Sequence, residues 1–188
     1  MKIAIIGMMG SGKTEIGRIL ASRLGFECVD LDAYIEADNG TTVADIFRAS
    51  GEAEFRALEE NALALLANRP AEMVICCGGG VVLSARNRQI LRERCITVWL
   101  DVPPSELVRR LEGQRDARPL LLDDTWMETI RRLYSERRVL YEHASTLRYA
   151  WREGEAAQES ASEIERLIRG QAAPSALQEG ADSTPHSR

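Results

Sequence analysis

Residues 7–14 read Gly7-Met8-Met9-Gly10-Ser11-Gly12-Lys13-Thr14, and this stretch decides the fold because it satisfies every defined position of the pattern G-x-x-x-x-G-K-[ST]. A buried strand, Lys2–Ile6, is predicted before it, and Glu15–Leu24 has helical spacing after it. Strand, glycine-rich loop and helix follow one another in the order in which this pattern binds phosphate. An ordinary glycine-rich turn would not require Lys and Thr at the start of a helix. The stretch therefore predicts a nucleotide-binding loop.

Each position of this loop has an expected role in holding a nucleotide. The glycines let the backbone wrap around a phosphate with its N–H groups pointing inward, where the start of the helix adds a partial positive charge. Lys13 can reach the β- and γ-phosphates, and the Thr14 hydroxyl can ligate Mg²⁺. The nucleotide-binding residues expected from this loop are Met9, Gly10, Ser11, Gly12, Lys13 and Thr14.

Length and charge restrict the class of protein. The chain has 188 residues, 45% of them hydrophobic, which suits one domain with a substantial core. Its formal net charge of −5, from 24 basic and 29 acidic residues, gives no general attraction for nucleic acid or anionic lipid. No apolar run approaches the roughly 18 residues of a membrane span, and the chain begins with a strand rather than a signal segment. We expect a cytoplasmic monomer without a nucleic acid or membrane partner.

The cysteines give no sign of metal or redox chemistry. None of them belongs to a C-x-x-C pair or has a neighbouring His, and all lie in or beside apolar segments: Cys28, Cys76, Cys77 and Cys95. A free cysteine behaves as a small hydrophobe, so we expect all of them to be reduced core residues.

Short apolar strands alternate with helical stretches, which predicts an α/β fold with a parallel sheet and helices on both faces. Beyond the first strand, the predicted strands are Glu27–Val29, Met73–Cys77, Ile96–Leu100 and Thr146–Tyr149. Ligands of such sheets bind at the carboxyl ends of the strands, so the residues that follow each strand are the candidates for chemistry.

Capping residues mark the predicted helix boundaries. The expected N-caps are Thr42, Ser84 and, in a capping box with Glu128, Thr125. Gly51 and Gly113 are expected to end helices.

Two carboxylates, Asp30 and Asp32, follow the second predicted strand. The alternation of side chains at a strand end would direct both into the same side of the cleft. One of them can hold the water shell of a phosphate-bound Mg²⁺, and the other can accept a hydrogen bond, or the proton, of a substrate hydroxyl. Alternatively, Asp32 caps a helix that begins at Ala33.

Three consecutive glycines, Gly78, Gly79 and Gly80, follow the third predicted strand. They leave this strand end without side chains, so the backbone can approach a small ligand closely. The alternative interpretation is a flexible turn.

Together these features resemble the shikimate kinase family, from Lys2 to about Gly170. The motifs that carry the resemblance are the loop 7–14, Asp30-Leu31-Asp32, Gly51-Glu52-Ala53-Glu54-Phe55-Arg56, the glycine triplet, Arg118-Pro119-Leu120-Leu121 and Arg137-Arg138-Val139-Leu140-Tyr141. Leu31 stands where the family often has Thr, and this change leaves both aspartates in place. Residues 112–117 are variable in such proteins, so Arg118 is a firmer assignment than Arg115.

The resemblance implies an architecture and an activity. The fold would be a three-layer P-loop kinase of the nucleoside-monophosphate-kinase type, with a five-stranded parallel sheet. Residues 1–170 would form one domain with a mobile substrate-binding segment at about 32–60 and a lid at about 113–124. The tail, 171–188, resembles nothing in the family and is expected to be disordered. The activity would be transfer of the γ-phosphoryl of ATP, with Mg²⁺, to the 3-hydroxyl of shikimate, a step toward aromatic amino acids.

The resemblance also implies roles for particular residues. Arg56 and Arg137 would bind the substrate carboxylate, since an arginine fork offers two parallel hydrogen bonds. Arg118 would close over the phosphates from the lid, as an arginine finger does. Arg110 would pack on adenine, although a charge at the end of a helix is an alternative for it.

Catalysis would then depend on positioning and charge neutralisation by Lys13, Asp32 and Arg118. Asp32 would bind and orient the hydroxyl, and the three glycines, 78–80, would contact the substrate. The metal would be held by Thr14 and, through water, by Asp30.

Two rival functions use the same loop. Another kinase of this fold, such as a gluconate or nucleotide kinase, would keep the phosphate loop and the lid arginines but would not need both aspartates and the Phe55-Arg56 segment. A nucleotide-dependent switch protein would be indicated by an Asn-Lys-x-Asp motif, which the sequence lacks.

Overall fold

The computed structural model describes residues 1–113 and 125–172, which surround a five-stranded parallel sheet. Its strands are β1 (Lys2–Ile6), β2 (Glu27–Asp30), β3 (Met73–Cys76), β4 (Ile96–Asp101) and β5 (Leu147–Ala150). Their order across the sheet is β2-β3-β1-β4-β5. The five strands and the α/β class are therefore confirmed, with strand ends shifted by one residue from several predicted bounds.

Helices cover both faces of the sheet. They are α1 (Lys13–Leu24), α2 (Leu31–Asn39), α3 (Val43–Asn68), α4 (Ala85–Arg94), α5 (Pro104–Leu111), α6 (Trp126–Ala144) and α7 (Ala157–Ala172), with a short 3-10 helix at Val81–Leu83. Ile3 and Ile5 of β1 pack with α1 and α7, whereas Ala4 and Ile6 pack with the remaining helices. This alternation gives the sheet a buried core on each side.

Most of the predicted helix boundaries are confirmed. The side chains of Thr42 and Ser84 accept the cap hydrogen bonds of α3 and α4. Gly51 interrupts α3 with φ 80°, a left-handed backbone that only glycine adopts without strain. Helix α6 does begin after Thr125, but the Thr125 side chain makes no cap hydrogen bond, so the predicted capping box is wrong.

The expectation for the cysteines is partly wrong. Cys76, Cys77 and Cys95 are buried, whereas Cys28 is exposed, and all four are free thiols. Cys28 is exposed because β2 is an edge strand of the sheet.

Two further expectations lie outside the described residues. Apart from Gly113, the proposed lid at 113–124, with Arg118, is not described, and the same holds for 173–188 of the tail. The predicted start of the tail at residue 171 is wrong, because Gln171 and Ala172 belong to helix α7. Among the helices that are described, none is both long and apolar enough to cross a membrane.

Candidate active site

The phosphate loop connects β1 to α1 at the centre of the sheet. Gly10 and Gly12 have φ values of 78° and 89°, which the loop needs in order to turn its N–H groups inward. Gly12 is also the N-cap residue of α1, so the loop ends at a helix N-terminus. The geometry is that of an anion-binding site.

Lys13 lies over this loop. Its Nζ donates hydrogen bonds to the carbonyl oxygens of Gly7 at 3.0 Å and of Met8 at 2.8 Å. Both carbonyl groups belong to the phosphate loop, so these bonds hold the ammonium group beside the backbone N–H groups that can bind an anion. The position suits a cation that neutralises phosphate.

Thr14 and Asp30 form the adjoining pair. The Thr14 hydroxyl donates a hydrogen bond at 2.8 Å to Oδ2 of Asp30, the last residue of β2. The other oxygen of Asp30 accepts from the backbone N–H groups of Asp32 and Ala33, so Asp30 is the N-cap residue of α2. The alternative in which Asp32 caps a helix from Ala33 is therefore wrong. The alternation of side chains along a strand does not set the direction of the Asp32 side chain either, because Asp32 lies in the first turn of α2.

Two buried carboxylate oxygens converge above Gly78. Asp32 Oδ1 and Glu59 Oε1 have no hydrogen-bond partner among the residues that the structure describes. A Cβ atom on Gly78 would lie 2.9 Å from Asp32 Oδ1 and 3.2 Å from Glu59 Oε1, so only glycine leaves this space open. Unpaired buried acceptors are costly unless a ligand supplies donors. The two oxygens fit a ligand that carries hydroxyl groups.

Burial shifts the titration of both carboxyl groups. It raises the pKa of Asp32, and the negative charge of Asp30 raises it further. Burial raises the pKa of Glu59 to about 7, against the opposing effect of Arg56. Perturbed carboxyl groups in a cleft are typical of functional sites.

Arg56 lies beside this pair on the segment of α3 that follows Gly51. Its Nη1 donates to Glu59 Oε2 at 2.9 Å, and its Nε and Nη2 donate to Glu52 Oε1 at 3.2 and 3.0 Å. A Cβ atom on Gly80 would collide with the guanidinium group, so the third glycine makes room for Arg56. Glu59 is fully buried, whereas the Glu52 side chain is 61% exposed.

Arg137 approaches the same glycines from α6. It is buried, while Arg131, Arg132 and Arg138 on the same helix are exposed. Its Nη1 donates to the carbonyl oxygen of Gly79 at 3.1 Å, and the Tyr141 hydroxyl donates to the same oxygen at 2.5 Å. Burial and this contact distinguish Arg137 from its cationic neighbours.

Arg110 lies on the other side of the loop, after β4. Its Nε donates to Glu106 Oε1 at 2.6 Å, its Nη1 to the carbonyl oxygen of Gly10 at 3.4 Å, and its guanidinium carbon is 5.5 Å from the centroid of the Trp151 ring. The side chain is therefore fixed next to the phosphate loop by an ion pair and a cation–π contact.

One cleft of about 670 Å³ joins most of these groups. It is lined by the loop residues 9–14, by Asp30, Asp32, Gly78 and Gly79, and by Arg110, Trp151 and Glu155. Arg56, Gly80 and Arg137 are not among the residues that line this cleft, although the Arg56 guanidinium group lies against Gly80 and Arg137 donates to the carbonyl oxygen of Gly79. Of the sequence-predicted site residues, only Arg118 lies outside the described residues.

Three residues of this region were not predicted from the sequence: Glu59, Trp151 and Glu155. Glu59 stands three residues after Arg56 in a helix, and this spacing could have indicated the ion pair. Trp151 and Glu155 lie in the connection from β5 to α7, where no local motif marks a ligand site.

The chain is similar to known proteins over most of its length. The family model described as shikimate kinase matches residues 9–169. Curated relatives called shikimate kinase include one from Synechococcus elongatus, 38% identical over 98% of this chain and 93% of its own length. Another, from Symbiobacterium thermophilum, is 45% identical over 79% of this chain and 85% of its own.

Solved structures agree with the sequence matches. The structure of shikimate kinase from Acinetobacter baumannii in complex with shikimate matches with a TM-score of 0.84 and 37% sequence identity. The match covers 90% of this chain and 93% of that one.

Proposed function

Because the chain belongs to the shikimate kinase family, we propose that it transfers the γ-phosphoryl of ATP to the 3-hydroxyl of shikimate, giving shikimate 3-phosphate and ADP. This is a step toward chorismate and the aromatic amino acids. The observation that carries the proposal is the pair of unpartnered carboxylate oxygens, on Asp32 and Glu59, above Gly78 and beside a phosphate loop. A small polyhydroxy acid supplies the hydroxyl donors that this pair lacks.

The loop and Lys13 bind the triphosphate of ATP. Backbone N–H groups from Met9 to Gly12 surround the phosphates at the start of α1, and the Lys13 ammonium group moves from the loop carbonyls to the β- and γ-phosphates. Charge that develops on the transferred phosphoryl group is then stabilised by donors that are already in place.

Thr14 and Asp30 fit a magnesium site. Both offer the oxygen donors that Mg²⁺ prefers, and their side chains already meet at 2.8 Å beside the loop. Thr14 would hold the ion directly and Asp30 through water. When bound, Mg²⁺ neutralises charge on the β- and γ-phosphate oxygens. Asp30 also fixes the start of α2, so the same side chain links the metal site to the position of Asp32.

Arg56 and Arg137 bind the carboxylate of shikimate. The two guanidinium groups reach the glycine triplet from α3 and α6, and the backbone of Gly78, Gly79 and Gly80 lets the ring lie between them. Glu59 holds Arg56 in place through a buried ion pair. A carboxylate fixed at one end of the ring sets the orientation of the hydroxyls at the other.

Asp32 accepts a hydrogen bond from the 3-hydroxyl and directs its oxygen at the γ-phosphorus. Since phosphoryl transfer passes through a loose transition state, the hydroxyl proton need not leave early. The raised pKa of Asp32 suits a carboxylate that takes up this proton as the P–O bond forms. We further propose that segment 113–124 closes as a lid with Arg118 over the phosphates, and that segment 32–60 moves on substrate binding.

A turnover assay with ATP and Mg²⁺ tests the proposal. Shikimate is compared with gluconate and with nucleoside monophosphates as acceptor, and ADP release is measured. We expect turnover with shikimate as acceptor, and none with gluconate or with nucleoside monophosphates. Preferred turnover of gluconate or of a nucleotide would instead identify a different kinase of the same fold.

A further inference from the structure

The topology divides the cleft into two ends. In the sheet order β2-β3-β1-β4-β5, the phosphate loop follows the central strand, Asp32 and Gly78 follow β2 and β3 on one side, and Arg110 and Trp151 follow β4 and β5 on the other. If shikimate occupies the β2–β3 side, a nucleotide with its phosphates on the loop must extend its base toward the β4–β5 side. The residues there are the ones that can contact the base.

Glu155 carries an unsatisfied acceptor oxygen at that end. Its side chain is only 10% exposed, and it lines the same cleft as the phosphate loop. One oxygen, Oε1, faces the exposed Arg152 at 3.9 Å. The other, Oε2, is buried and accepts no hydrogen bond from any residue in the two described ranges.

A buried carboxylate oxygen of this kind needs an N–H or O–H donor. The 6-amino group of adenine is such a donor, whereas the 6-oxo group of guanine or hypoxanthine is an acceptor and would be repelled. We infer that Glu155 accepts a hydrogen bond from the 6-amino group of ATP and thereby selects adenine over 6-oxopurine nucleotides. The inference rests on the proposed function, because it takes ATP to be the phosphoryl donor.

Tyr149 provides the competing explanation. Its hydroxyl is also buried without a hydrogen bond of normal geometry, and burial together with the Glu155 carboxylate raises its pKa to about 12. The phenol is thus close to the carboxylate, and a purely structural pair would explain the burial of Glu155. Such a pair would not distinguish between nucleotides that differ only at position 6.

The test removes the acceptor and the donor separately. Values of kcat/KM with shikimate are measured for ATP, for purine riboside triphosphate, which lacks the 6-amino group, and for inosine triphosphate, which carries a 6-oxo group. The variants are Glu155→Ala, Glu155→Gln and Tyr149→Phe, with Glu153→Ala as the matched control because Glu153 is an exposed carboxylate in the same connection.

We expect the wild-type protein to prefer ATP to purine riboside triphosphate at least about tenfold, since a hydrogen bond to a charged group is lost. In Glu155→Ala, the ratio of kcat/KM for ATP to that for purine riboside triphosphate should fall close to one. In Glu153→Ala and Tyr149→Phe, this ratio should stay at the wild-type value. Glu155→Gln, which preserves the volume and can also donate, should raise the use of inosine triphosphate relative to ATP.

Two results would overturn the inference: a wild-type ratio retained in Glu155→Ala and Glu155→Gln, or an equal loss of the ratio in Tyr149→Phe. If Glu155→Ala fails to fold, Glu155→Gln still tests the inference, through its use of inosine triphosphate relative to ATP. Failure of the proposed function is separate, because it would appear as a wild-type protein that does not phosphorylate shikimate with any of the three nucleotides.

Discussion

The guanidinium group of Arg56 donates from Nη1 to Oε2 of Glu59 at 2.9 Å, and Glu59 is fully buried beneath it. The carboxylate therefore helps to fix the direction of an arginine that we propose binds the substrate carboxylate. Removing Arg56 would leave the buried Glu59 carboxylate without a compensating charge, whereas removing Glu59 would leave Arg56 paired only with the exposed Glu52.

Glu59→Gln should weaken shikimate binding without affecting ATP. We expect the KM for shikimate to rise about tenfold, equivalent to about 1.4 kcal/mol, because Arg56 loses its charged buried partner and keeps only its bonds to the exposed Glu52. The KM for ATP should stay unchanged. Glu54→Gln is the matched control, since Glu54 is an exposed carboxylate on the same helix. An equal effect in both variants would indicate that only the net charge matters.

The raised pKa of Glu59 also predicts a pH dependence of stability. Its pKa is about 7 in the folded protein against an ordinary value of 4.5, so the native state binds more protons between these values. Stability from this group is therefore full below about pH 4.5 and is lost as pH rises toward 7, by about 1–3 kcal/mol. Denaturant titrations at pH 5 and pH 8 should show a smaller loss in Glu59→Gln. An identical loss in both proteins would contradict the assignment.

Lys13→Ala should leave a folded protein that has almost no kinase activity. The ammonium group bonds to loop carbonyls rather than to the core, so its loss removes charge stabilisation at the reacting phosphoryl group. We expect kcat to fall at least about a hundredfold, with a wild-type circular dichroism spectrum. Activity above about a tenth of wild type would be too high for this role.

Arg137→Ala should weaken shikimate binding by about 2–5 kcal/mol in a calorimetric titration, with ADP binding nearly unchanged. Arg137→Lys should restore only part of the affinity, because an ammonium group cannot make two parallel hydrogen bonds. The exposed neighbour Arg138, changed to Ala, should behave as wild type. Comparable losses for both ligands in Arg137→Ala would point to a structural defect.

The sequence predicted the elements whose signal is local. The phosphate loop, the five strands and the caps at Thr42 and Ser84 follow from short-range patterns. Asp30 was not recognised as the cap of α2, because this helix begins directly after β2 with no intervening loop. Local pattern could not identify Glu155 either, since its significance depends on β5 lying beside β4 and on a cleft shared with residues 9–14.

The burial of Arg137 could not be predicted from the sequence either, because several arginines lie on the same helix. Periodicity placed Arg131, Arg132, Arg137 and Arg138 on one helix without showing which of them faces the core. Only the packing of α6 against the glycine triplet selects Arg137, through the carbonyl oxygen of Gly79. The resemblance to a family singled out Arg137 in advance, and its role in substrate binding stays a prediction.

The position of the transferred phosphate on the shikimate ring distinguishes the proposed reaction from every alternative. The protein is incubated with ATP, Mg²⁺ and shikimate, and the phosphorylated product is examined by phosphorus NMR with coupling to protons. We expect one product in which phosphorus couples to the proton on carbon 3, because we propose that Asp32 directs that hydroxyl at the γ-phosphorus. Phosphate on another hydroxyl, or hydrolysis of ATP without phosphorylated shikimate, would overturn the proposed activity.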